Sequence, residues 1–151
     1  MKKNLIYTFL FLLISPLCIH AKSSVTVHIV KPPDNQIKMI LSEQEKAWNM
    51  GNLDGFMLYY WNNEELKFVS KNGIKKGWNS VYNSYQKAYA AKGEMGTLNF
   101  SEITIHGINN KNALVTGNWK VVNQKGIQQG LFTLWLKKID GKWLIVMDHT
   151  S

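Results

Sequence analysis

Between Ile37 and Ser151 the spacing of apolar residues changes from helical to alternating, and that change sets out the architecture. Ile37, Ile40, Leu41, Ala47 and Trp48 recur at helical spacing, with Asp34 available as a cap and Gly51 just past the end. A first amphipathic helix is therefore predicted. Asn52 can cap a second helix, in which Leu53, Phe56, Met57, Tyr60 and Trp61 fall on one stripe. "ELKFVS" reads as a strand and "KNGIKKG" as a loop turning at Asn72-Gly73. Trp78, Val81, Tyr82, Tyr85 and Tyr89 then share the face of a third helix.

After Met95 β-branched and aromatic residues dominate and turn residues recur at short intervals. Four strands are predicted, over residues 97–106, 113–122, 128–137 and 143–149. The connections "GINNKN", "NQKG" and "DGK" are hairpin-sized and rich in Gly, Asn or Asp. The order helix, helix, strand, helix and then an antiparallel meander implies an α+β fold. In it a curved sheet wraps around three N-terminal helices and leaves a cavity between the layers.

The first 21 residues stand outside this pattern. "MKKNLIYTFLFLLISPLCIHA" carries Lys2 and Lys3, an apolar run from Leu5 to Ile14 and then Ser15-Pro16. These are the parts of a secretory signal peptide, with cleavage expected after Ala21. A periplasmic or secreted protein follows. The run is too short to cross a bilayer, and nothing later reaches the ~20 apolar residues a membrane helix needs. Cys18 is the sole cysteine, and Leu17 before it is larger than a lipid-attachment signal prefers, so no membrane anchor is expected. The mature chain would hold no disulfide and no thiolate nucleophile. Residues 22–35, with Pro32-Pro33, read as a lead-in segment in which "VTVHIV" could add an edge strand. Residues 36–151 form the domain.

Composition narrows the function. Every one of the 18 basic residues is a lysine. Without guanidinium forks or a lysine run, specific nucleic-acid recognition is not expected. His28, His106 and His149 lack metal-ligand spacing, and no nucleophile elbow, phosphate loop or dinucleotide glycine motif is present. No metal and no cofactor is expected.

The segments "QEKAWNMGNLDGFMLYYW", "GIKKGWNSVYNSY", "MGTLNFSEI", "ALVTGNW" and "GLFTLWLKKIDGKWLIVMDHTS" resemble the SnoaL-like, domain-of-unknown-function branch of the nuclear-transport-factor-2-like superfamily. The likeness runs from Ile37 to Ser151. It implies a cone with a deep pocket, commonly dimerised through the outer sheet face. Members include ketosteroid isomerases, scytalone dehydratase, epoxide hydrolases, polyketide cyclases and non-catalytic modules, so fold alone does not define function. In the isomerases of this superfamily the catalytic base lies on the strand after the second helix. Here that strand, "LKFVS", contains no acid, and Glu64 and Glu65 just before it read as exposed turn residues.

Several residues are candidates for a site. Trp48, Tyr60, Trp61, Trp78, Tyr82 and Trp119 are either aromatic core or the walls of a pocket for an apolar or aromatic small molecule. Leu98, Phe100 and Glu102 alternate onto one face, so Glu102 would be a pocket carboxylate if that face is concave. Thr104 and His106 continue the same face in polar character and favour the outward reading. Asp148 and His149 are candidate general bases, with Tyr60 or Tyr82 orienting a substrate. On a regular strand Trp143, Ile145, Met147 and His149 share one face and Leu144, Val146 and Asp148 the other, so the two bases point apart unless a bulge re-aims one. Both faces of this strand are apolar, which suggests a second copy packed against the outer one. Three functions stay open: a binding domain without catalysis, a lyase, isomerase or hydrolase using Asp or His as base, and a dimeric assembly module with a filled pocket.

Overall fold

The computed structural model describes residues 34–89 and 94–151. The expected signal peptide, Cys18, His28 and the proposed "VTVHIV" strand lie outside the described residues. Helix α1 (Asp34–Asn49) begins inside what the sequence suggested was lead-in, and it buries Ile37, Ile40, Leu41, Gln44 and Trp48 on one stripe. Helix α2 (Leu53–Met57) is capped as expected, the Asn52 side chain accepting from the Gly55 N–H. Strands β1 (Lys67–Ser70) and β2 (Gly73–Lys76) precede helix α3 (Trp78–Ala88). The meander follows as β3 (Thr97–Asn109), β4 (Asn112–Asn123), β5 (Gly126–Ile139) and β6 (Lys142–Thr150).

These six strands form one sheet in the order β2-β1-β6-β5-β4-β3. Neighbours are antiparallel except β1 and β6, which run parallel and align Phe68 with Asp148. The β5–β6 connection is the two-residue turn Asp140-Gly141, both with positive φ, a geometry that matches the twist of the strands it joins. An exposed edge such as β3 invites pairing with another chain. Here α1 covers it with side chains that imitate a strand. Asn49 bonds both the N–H and the carbonyl of Leu98, and Glu45 accepts from the Phe100 N–H.

Two expectations about elements fail for physical reasons. The second helix was predicted to run through Tyr60 and Trp61, but it stops at Met57 because β6 claims the next stretch of backbone. Trp61 donates to the Ile145 carbonyl at 2.9 Å and Ile145 donates to the Tyr59 carbonyl at 2.8 Å. "KNGIKKG" is a hairpin strand rather than a loop. All four residues of β2 are exposed, so no inside-outside alternation marked it.

Two bulges decide which side chains reach the interior. In β3 an extra residue lies between Ser101 and Thr104, where Glu102 takes a left-handed φ of 51°. Opposite it sits Gly117, where a Cβ would stand 2.7 Å from the Phe132 ring. In β6 an extra residue lies between Ile145 and Met147. Trp143 and Ile145 therefore face inward, Val146 absorbs the shift, and Asp148 faces inward as well.

Candidate functional site

The concave face of the sheet and the three helices enclose a cavity of about 410 Å3. Trp48 from α1, Phe56 from α2 and Tyr85 and Tyr89 from α3 form one wall, and their rings meet edge to face at centroid separations of 4.9 to 5.9 Å. Phe100, Trp119 and Phe132 form the opposite wall. Such rings present flat apolar surface at low conformational cost. Trp48 donates its indole N–H to the Met95 carbonyl at 2.8 Å, so its ring is held in place rather than free to fill the space.

Two polar side chains are buried in the interior among the described residues, Gln44, which donates to the Phe56 carbonyl at 3.1 Å, and the acid Asp148. Its side chain is buried, and Oδ2 accepts a 2.6 Å hydrogen bond from the Tyr60 hydroxyl. Oδ1 is equally buried and has no partner among the described residues. Burial destabilises the anion and pushes the carboxyl up to about 6, against the opposing pull of the Tyr60 bond. Burial, reinforced by the nearby Asp148 charge, raises the Tyr60 and Tyr85 hydroxyls well above the usual tyrosine range and keeps both neutral. A second buried polar atom of a cavity residue, Trp119 Nε1, also lacks a partner among the described residues.

The structure thus gathers Trp48, Tyr60, Trp119 and Asp148 around one cavity. The other candidates lie elsewhere. His149 is exposed, because the residue after an inward-facing Asp148 must point out. Glu102 is exposed at its bulge, while the bulge turns Thr104 and His106 to the outer face and Ile105 to the core. Trp61 is half-buried and does not line the cavity. Trp78 and Tyr82 stack on each other at 4.8 Å and brace α3 against α2, the Trp78 N–H reaching the Met57 carbonyl and the Tyr82 hydroxyl reaching Asp54. Tyr82 is therefore unable to orient anything inside the cone. Tyr60 reaches the site, and its hydroxyl proton is donated to Asp148.

Cavity residues missed from sequence include Phe56, Phe68, Tyr85, Phe100 and Phe132. Val81, Tyr85 and Tyr89 sit four apart on α3, a spacing that separates them from the outward-leaning Trp78 and Tyr82 once the cavity is known. No positional signal marks Phe68. It stands beside Asp148 across the parallel β1–β6 pair.

Glu64 and Glu65 are exposed, and Glu65 pairs with Lys76 at 2.9 Å. No group of three or more potential metal ligands occurs among the described residues. No helix among them is long and apolar enough to cross a membrane.

No family model matches the chain, and neither does any curated protein. Solved structures do. An NTF2-like protein of unknown function from Shewanella oneidensis is 40% identical, superposes with a TM-score of 0.76, and is matched over 79% of this chain and 98% of its own. A nuclear transport factor 2-like superfamily protein from Salmonella enterica shares the fold at 19% identity, with a TM-score of 0.62 over 78% of this chain and 88% of that one. A proposed scytalone dehydratase from Novosphingobium aromaticivorans does so at 15% identity, with a TM-score of 0.66 over 78% and 83%. With the cone, its six-stranded sheet and this near-complete coverage of the Shewanella protein in view, the chain belongs to the NTF2-like family.

Proposed function

We propose that this protein binds a flat, largely apolar small molecule in the cone and moves a proton on it through Asp148. One observation carries the reading: a buried aspartate on the wall of a cavity of about 410 Å3 has a carboxyl oxygen with no partner among the described residues. A volume of that order suits a small organic ligand. A carboxyl held near pH 6 can both take and return a proton at neutral pH, the property required of a general acid-base. Oδ1 is the atom that receives the proton, while the Tyr60 O–H on Oδ2 fixes the carboxylate plane. Trp119 Nε1–H is a donor free to hold a ligand oxygen on which charge develops. Proton transfer next to a carbonyl, as in lyases and isomerases, is the chemistry this arrangement supports.

The test begins with native mass spectrometry of protein recovered from its own cell envelope, to find the retained ligand. That ligand is then incubated with the protein in D2O. Deuterium uptake by the wild type that Asp148→Asn abolishes while still binding the ligand supports the reading. Binding without exchange in the wild type reduces the protein to a binding domain. The same preparation checks export, since a leader cleaved after Ala21 leaves a mass that starts at Lys22.

We also propose that two copies pair through the outer sheet face. On that face the row Leu114, Trp135 and Met147 crosses β4, β5 and β6, all half-buried. Further along β5 on the same face, Leu131 and Ile127 are each 63% exposed. An apolar strip of this kind is costly to leave in water. Sedimentation of a monomer at micromolar concentration would overturn this.

A further inference from the structure

The sheet register places Asp148, Phe68 and Lys75 in one row across β6, β1 and β2, and all three line the cavity. Two strand spacings of ~4.8 Å put the Asp148 and Lys75 backbones about 10 Å apart, with the Phe68 ring between them. Among the described residues Lys75 is the sole basic residue of the lining, and it stands at the exposed end of the row. Its neighbour Lys76 points to the other face and is paired with Glu65, whereas Lys75 has no carboxylate within ion-pair distance among the described residues. Around it the lining turns polar, with Ser70, Asn72 and Thr150. A ligand lying on Phe68 with one end at Asp148 therefore presents its other end to an ammonium and three hydrogen-bonding side chains.

Resting on the proposed small-molecule reading, we infer that the natural ligand carries an anionic group, a carboxylate by size, and that Lys75 is the residue that selects for it. The ammonium accepts this charge at the mouth, where water and the hydroxyls of Ser70 and Thr150 complete its solvation. The apolar body passes inward over Phe68. Lys75 thus sets which end of the ligand enters first and which atoms meet Asp148.

The probes are 2-naphthoate and 2-acetylnaphthalene, a pair alike in shape in which a methyl group replaces the charged oxygen. Binding of each is measured by calorimetry at pH 7.5. Wild-type protein should prefer the acid by about tenfold, the order expected of one charge-assisted hydrogen bond. Lys75→Met should reduce the preference to less than about twofold, Lys75→Arg should keep it, and Lys76→Met should keep it too. Equal binding of both probes to the wild type, or a preference that survives Lys75→Met, overturns the inference and leaves the cavity reading intact. Failure of both probes to bind overturns the cavity reading and this inference together. Thermal melts of each variant confirm that the exposed substitutions leave the fold unchanged.

Discussion

The molecule contains the same chemical pair twice. Tyr60 donates to Asp148 at 2.6 Å, and Tyr82 donates to Asp54 at 2.5 Å. The first pair is buried in the cone and the second lies on the surface between α3 and α2. For Asp148 burial dominates and lifts the carboxyl to about 6, even though the tyrosine bond pulls it down. For the Tyr82 hydroxyl the hydrogen bond to Asp54 is the leading influence. An aspartate-tyrosine bond is therefore no mark of a site by itself. What sets the inner pair apart is its burial, together with one carboxyl oxygen that has no partner among the described residues.

The sharpest test of that contrast is the pH dependence of stability. Asp148 has a folded value near 6 against 3.8 for the free group, so the folded chain holds its proton more tightly than the unfolded chain. Stability from this group is full below pH 3.8 and is lost as pH rises through 6. The difference amounts to roughly 3 kcal/mol, about two pH intervals at ~1.4 kcal/mol each. Urea unfolding of wild type and Asp148→Asn should therefore give midpoints that converge near pH 4 and diverge by pH 7, with the asparagine protein then the more stable. Parallel curves across that range would break the comparison.

Next in size is Tyr60→Phe, which leaves the Asp148 anion with neither oxygen paired. The expected cost at pH 7 is about 2 kcal/mol, the typical penalty for an unsatisfied buried polar group. The carboxyl should also move further above 6, because the one influence lowering it is gone. Urea unfolding and a carbon-detected NMR titration of the Asp148 carboxyl read the two effects. The smallest effect belongs to Tyr82→Phe. Its bond is solvent-exposed, and the urea midpoint should stay where it is. A loss comparable to that of Tyr60→Phe would show that the outer pair, too, holds the helices together.

How far the site was legible follows from the same physics. Trp48 and Trp119 were found among cavity residues because large aromatic side chains carry the apolar area that folding buries. Trp61, Trp78 and Tyr82 satisfied the same criterion and ended outside the cavity: Trp61 lies past the end of α2, where its backbone pairs with Ile145, and Trp78 and Tyr82 stack on each other, since a helical stripe is wide enough to face both the interior and a neighbouring helix. Glu102 was placed by alternation, and the β3 bulge overrode alternation. Phe68 had no signal, because its position depends on a parallel pairing between chain segments about eighty residues apart.

The sequence alone determined the order of the helices and of every strand except β2, and with it the antiparallel meander, because local periodicity and turn residues act over a few positions and survive in any environment. It also established that Asp148 and His149 point to opposite faces, since adjacent strand residues must. Which of them enters the cone was decided by tertiary structure. Strict parity from Trp143 and Ile145 would have turned His149 inward. The backbone of Ile145 bonds to Tyr59 and Trp61, the end of β6 bonds instead to β1, and the extra residue between these two pairings reverses the parity. A single bulge, set by long-range pairing, thus places an aspartate rather than a histidine at the heart of the molecule.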